Sequence, residues 1–140
     1  MNLKGLFGIF VWLATALAVQ GQIWTSQDVG SVGVAGTSTQ SASGFTVAGS
    51  GADIGGTTDA FRFVYQSLAG DCQVIARVAS VPTNNAWSKA GAVIRETLSA
   101  NAKNSTLVLS RDNGMDFSAR NTAGGATTNN VFWLPEQRRC

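Results

Sequence analysis

The chain contains no histidine. Without an imidazole there is no Ser-His-Asp or Cys-His nucleophilic centre, no His-bearing zinc site and no histidine general base near neutral pH. Its 2 cysteines are too few for a Cys-only zinc site or a dense disulfide framework. Glutamate is almost as scarce, with only Glu96 and Glu136 present. Charge is low as well: 10 Lys plus Arg stand against 8 Asp plus Glu, a net of +2, and the basic residues are scattered singly apart from Arg138 and Arg139. That pattern lacks the electrostatic footprint of a nucleic-acid binder or of an anionic membrane surface. A length of 140 residues allows one domain at most.

What is present begins with an export pattern. Lys4 gives a short positive start, and residues 5–19 (GLFGIFVWLATALAV) form an uncharged, mostly apolar run followed by small and polar residues. The run is shorter than the ~20 residues a membrane-crossing helix needs, and no second apolar segment follows it. Residues 1–21 are therefore read as a secretory signal peptide, with Val19 and Gly21 at the small-residue positions and Ala16 and Ala18 offering an earlier cut. The expected product starts at Gln22, is secreted to an extracellular or periplasmic location, and has no stable membrane insertion after cleavage. Export would place Cys72 and Cys140 where one long bridge is possible in principle. Cys140, however, is the last residue behind a polar tail, and Cys72 is expected to enter a strand as a small, half-buried apolar residue.

Residues 22–140 read as a single domain of alternating strands. Gly-rich turn clusters recur about every ten residues, at 43–44, 49–51, 55–56, 69–71, 82–85, 112–114 and 124–125. Phe61, Phe63 and Tyr65 alternate with Arg62, Val64 and Gln66, giving one aromatic face. The runs 61–66 and 72–80 are expected to pair as an antiparallel hairpin. Residues 89–96 alternate again, setting Ala90, Ala92 and Ile94 opposite Gly91, Val93 and Arg95. Runs 105–111 and 115–120 flank Asp112-Asn113-Gly114, and an Asn-Gly pair between such runs is a strong hairpin cue because it tolerates positive φ twice. Residues 97–104 have room for a helical turn and no more. The polar stretches 35–43 and 122–130 read as loops. The expected fold class is all-β, an antiparallel β-sandwich or jelly roll.

The acids do not form a catalytic pair on any one strand. Glycoside hydrolysis needs two carboxylates about 5–9.5 Å apart, yet Glu136 lies in the tail and no second acid lies two to four residues from Glu96. Asp53 with Asp59, and Asp112 with Asp116, are weak Ca²⁺ candidates, since a hard cation needs several converging oxygens. Neither pair has the spacing of a known loop motif, and Asp112 and Asp53 also read as turn formers. Trp24 and Trp87 are either plugs of the sandwich or flat platforms for a sugar ring. Trp87, with Asn84 and Asn85 before it, is the candidate ligand group, because amides beside an indole can bind sugar hydroxyls. Asn104-Ser105-Thr106 is a glycosylation sequon.

The strings WTSQDVGSVGVAG (24–36), FTVAGSGADIGG (45–56), DAFRFVYQSLAGD (59–71), IARVASV (75–81) and AWSKAGAVIRETL (86–98) together resemble a secreted bacterial domain. That family is placed with the concanavalin A-like lectin/glucanase sandwiches, among uncharacterised domains related to those called regulation-of-enolase-like. The resemblance spans residues 24–126. It implies a β-sandwich used as an accessory module of extracellular enzymes or cell-surface proteins, and it transfers no catalytic residue. Two departures stand out. Gly55 follows Ile54 where the family usually has an aromatic residue. Members also continue for several strands beyond Phe132-Trp133-Leu134, whereas this chain ends in PEQRRC. The expectation is a sandwich lacking its last strands, with an open edge that invites a strand-pairing partner and marginal stability.

Three readings follow. The first is a secreted, non-catalytic module that binds a polysaccharide, a cell-surface glycan or another extracellular surface ligand, with no nucleic acid partner and no cofactor unless calcium. The second is a structural or adhesion domain, or a truncated gene product without ligand. The third, a fragment of a glycoside hydrolase, is disfavoured by the missing acid pair.

Overall fold

The computed structural model describes residues 23–132. The leader, Trp133, Leu134, Glu136, Arg138, Arg139 and Cys140 lie outside the described residues. Within them the chain is all-β, with no helix. Its strands are β1 (Thr25–Val29), β2 (Thr37–Ser41), β3 (Gly44–Ala48), β4 (Ile54–Gly55), β5 (Thr58–Asp59), β6 (Phe61–Tyr65), β7 (Lys89–Arg95), β8 (Asn104–Ser110), β9 (Met115–Arg120) and β10 (Thr128–Phe132). Every pairing is antiparallel: β1 with β6, β2 with β3, β4 with β5, and a four-stranded sheet in the order β10-β9-β8-β7. The hairpin around Asp112-Asn113-Gly114 forms as β8–β9. Gly114 takes φ +75°, the left-handed conformation the Asn-Gly cue anticipates. In place of a helix, residues 97–103 hold a single turn in which the Ala102 N–H donates to the Ser99 carbonyl at 2.9 Å.

Three expectations are corrected. β6 pairs with β1, Val29 opposite Phe61 and Thr25 opposite Tyr65, and not with residues 72–80, which carry no strand. Local spacing favours a hairpin partner, but β1 supplies a strand of the same length whose one apolar residue, Val29, is buried beside the aromatic face. Cys72 consequently lies exposed outside any strand. The stretch 35–43 is not wholly a loop, because β2 pairs with β3 through a tight turn. Its Thr-Ser-Thr run provides β-branched residues on a pleated surface. The same holds for 122–130, where β10 begins at Thr128.

Two sheets meet around the β1–β6 pair. The register puts Gln27, Val29, Phe61, Phe63 and Tyr65 on one face and Ser26, Asp28, Arg62 and Val64 on the other. The first face is tied to the four-stranded sheet by the Arg95 guanidinium, 5.4 Å from the Phe61 ring centroid. The aromatic rings themselves run in file, Phe61 5.5 Å from Phe63 and Phe63 stacked 5.3 Å from Tyr65. The second face is tied to the β2–β3 hairpin: Arg62 Nε donates to Ser38 Oγ at 3.0 Å, Arg62 pairs with Asp28 at 3.4 Å, and Asp28 accepts the Gly36 N–H.

The four-stranded sheet inverts the usual patterning, in which apolar residues face the core. Its inner face carries Lys89, Gly91, Val93, Arg95, Asn104, Thr106, Val108, Ser110, Asp116, Ser118 and Arg120, of which Asn104, Thr106, Val108, Ser110, Ser118 and Arg120 are buried. Its outer face carries Ala90, Ala92, Ile94, Leu107, Leu109, Met115, Phe117 and Ala119, with Ile94, Leu107 and Phe117 each more than two-fifths exposed. Among the described residues, Val29, Ala102 and Val108 are the buried hydrophobics.

Candidate functional site

Trp87 sits on a turn just before β7. The Ser88 N–H donates to the Asn85 carbonyl at 3.1 Å, and the Asn85 Oδ1 accepts the Trp87 N–H at 2.8 Å, the side-chain turn that asparagine favours. The turn is sewn to the β8–β9 connection. Ala86 C=O accepts from Asn113 Nδ2 at 3.0 Å and from the Asp112 N–H at 3.1 Å, and Ser88 C=O accepts the Arg111 N–H at 2.9 Å. Held this way, the indole is 62% exposed, so Trp87 is not a plug of the sandwich. Asn84 approaches from the same side, its Oδ1 accepting the Ser88 hydroxyl at 3.4 Å. Lys89 places its ammonium 5.9 Å from the indole ring centroid and 2.5 Å from Asp53 Oδ1. The structure thus brings Trp87, Asn84 and Asn85 together on one clamped turn and adds Lys89 and Asp53. Trp24 is also exposed at 40%, edge-on to Phe45 at 5.1 Å between centroids, above a small cleft that includes Ser38 and Gln40.

The acidic pairs do not converge. Asp53 faces Lys89 and accepts its neighbour Ile54 N–H at 2.7 Å, while Asp59 is buried among arginines. Asp59 is thereby removed as a calcium candidate, since two guanidiniums already take its carboxylate. Asp112 lies 3.3 Å from Arg111 on the exposed turn, and Asp116 lies on the inner face of β9 opposite Val108. Among the described residues no three acidic or cysteine side chains gather as a metal site requires. Glu96 pairs with Lys103 at 2.9 Å on the surface, the ordinary rim carboxylate.

Sequence reasoning missed the buried ionic cluster. Arg120 grips the Asp59 carboxylate with both terminal nitrogens, at 2.6 and 3.1 Å, and Asn104 Nδ2 donates to it at 3.1 Å. Arg95 Nη1 makes an ion pair at 3.3 Å outside hydrogen-bond geometry. Arg120 also donates to the carbonyls of Gly55, Ala100 and Ala102, joining β4 to the 97–103 turn. Burial lowers the Arg95 pKa; Asp59 opposes that shift and the Arg120 charge adds to it. The cluster is two positive charges on one negative, enclosed, and structural in what it touches. A sequence signal did exist in arginines placed at strand ends within apolar alternation. The sequon at Asn104 is likewise closed to modification in the folded chain, because Asn104 is buried with its amide committed to Asp59.

Comparison of the chain with family models, with curated proteins and with solved structures finds no match.

Proposed function

We propose that this chain is a secreted, non-catalytic β-sandwich module, of the jelly-roll kind its sequence resembles, that binds an extracellular glycan by stacking on Trp87. The observation that carries the reading is the 62% exposed indole on a turn clamped to the β8–β9 connection. Large aromatics are mostly buried, and one held out to solvent by a hydrogen-bonded turn is the flat apolar platform that a sugar ring stacks on. The amides of Asn84 and Asn85 supply donors for hydroxyl groups beside it, and both residues are exposed. Asp53, Asp59, Glu96 and Asp112 are each paired with a basic residue, which supports binding over hydrolysis. Residues 1–21 would deliver the module to an extracellular or periplasmic location.

The test is thermal unfolding of the purified chain against a panel of plant and bacterial polysaccharides, each with and without Ca²⁺. A ligand that binds only the native state raises Tm, by about 2.7 kcal/mol of stabilisation at a hundredfold excess over Kd. Trp87→Ala is expected to unfold at the unliganded temperature and to lose the shift. A panel-wide absence of any shift, or a shift that survives in Trp87→Ala, overturns the reading.

A further inference from the structure

We propose that residues 71–77 pair with the same segment of a second copy, forming a two-fold antiparallel β-ribbon that joins two chains. The segment is strand-like in sequence and unpaired in structure. Among the described residues no hydrogen bond, from backbone or side chain, reaches residues 68–83. Residues 71–77 are all exposed, Ile75 at 85%, although Val74, Ile75 and Ala76 are residues that a strand would bury on at least one face. A stretch of unpaired backbone donors and acceptors of this length, in a segment that alternates Cys72, Val74 and Ala76 with Gln73, Ile75 and Arg77, is a template for strand addition. It is not a free tail. Its continuation, Val78 to Val81, lines a cleft of about 340 Å³ together with Leu109, Ser110 and Arg111 of the four-stranded sheet and its β8–β9 turn.

Charge selects both the occupant and the register. The segment carries one acid, Asp71, and one base, Arg77, and neither makes an ion pair among the described residues. In an antiparallel pairing centred on Val74, Asp71 of one copy lies opposite Arg77 of the other, and the symmetry repeats the pair. Gln73 then faces Ile75, Cys72 faces Ala76, and Val74 faces itself, so the apolar side chains of Cys72, Val74 and Ala76 form one continuous stripe across both copies. A shift of the centre by one residue separates the charges and leaves Arg77 opposite Gln73. The segment is thus self-complementary in the sense a two-fold interface requires.

The register predicts a disulfide geometry. Residues directly opposite in an antiparallel pair have Cα atoms about 4.5–5.5 Å apart, inside the range a disulfide spans. The full chain with Cys72→Ser and Cys140→Ser, carrying Val74→Cys, should form a covalent dimer on mild oxidation. The same background with Gly70→Cys should not, because that position faces its own copy only across the whole ribbon. Sedimentation of the unmodified chain should give a concentration-dependent dimer. Asp71→Arg or Arg77→Asp alone should weaken it about tenfold, since two cross-strand pairs change sign, and the double exchange Asp71→Arg with Arg77→Asp should restore it. Both positions are exposed, so loss of folding does not confound the result. A monomer at the highest soluble concentration overturns the proposal, as it would if the segment were covered by another part of its own chain. Dimerisation indifferent to the charge exchange, or Gly70→Cys linking as well as Val74→Cys, overturns it too.

Discussion

Replacement of Asp59 by Asn should be the most damaging conservative change in the buried cluster, and the three members should rank by the charge each leaves behind. Asp59→Asn keeps the shape but leaves the guanidiniums of Arg120 and Arg95 without a counter-charge in a site whose side chains are 0–2% exposed. Breaking a buried pair in this way costs about 3–5 kcal/mol. Arg120→Met leaves Asp59 with Arg95 and Asn104, but it strips the donor from the carbonyls of Gly55, Ala100 and Ala102, a loss of about 2–3 kcal/mol. Arg95→Met removes the surplus positive charge and leaves a neutral Asp59–Arg120 pair, but it also strips the donors from the carbonyls of Thr97 and Ser99, so it should cost about 1–2 kcal/mol, less than Asp59→Asn. The sign of the Arg95 pKa shift agrees. Burial makes the folded state bind this proton less tightly than the unfolded chain, so its cost is carried in full at neutral pH. That cost falls only as pH rises from the folded towards the unfolded pKa. Against a total stability of about 5–15 kcal/mol, the Asp59 change removes roughly a fifth or more and should lower Tm by roughly 10–20 °C. Urea titration of the three variants at pH 7 measures the order. If Arg95→Met proves as costly as Asp59→Asn, charge imbalance does not govern the cluster.

Gly30 takes φ +69°, and a Cβ there would run into the carbonyl of Asp59, so Gly30→Ala should cost about 2 kcal/mol or more in urea midpoint experiments. Trp87→Ala should change stability by less than about 1 kcal/mol, because the indole is exposed; a larger loss would make it a packing residue. On the outer face of the four-stranded sheet, the double change Leu107→Lys and Phe117→Lys should markedly lower the binding of an apolar dye such as ANS while leaving cooperative unfolding in place. A collapse of folding would show that this face is covered in solution.

Local chemistry was enough to place four of the ten strands in the described residues. Period-two alternation located β6, β7, β8 and β9 to within a residue or two, and the Asp-Asn-Gly turn fixed the pairing of β8 with β9, because both signals act over a few residues. Around the candidate site, the sequence singled out Trp87, Asn84 and Asn85. It could not say whether the indole points in or out, since that depends on the bonds Asn113, Asp112 and Arg111 make to the turn from another hairpin. The partner of β6 was decided by tertiary structure: residues 72–80 and β1 are both adequate strands, and the choice lies in which one buries Val29 against the aromatic face. So was the inversion of the four-stranded sheet. Alternation assigns residues to two faces and is silent on which face is inside. The inner one was settled by Arg120 reaching Asp59 across 61 residues of chain, an attraction that exists only once the strands between them are folded.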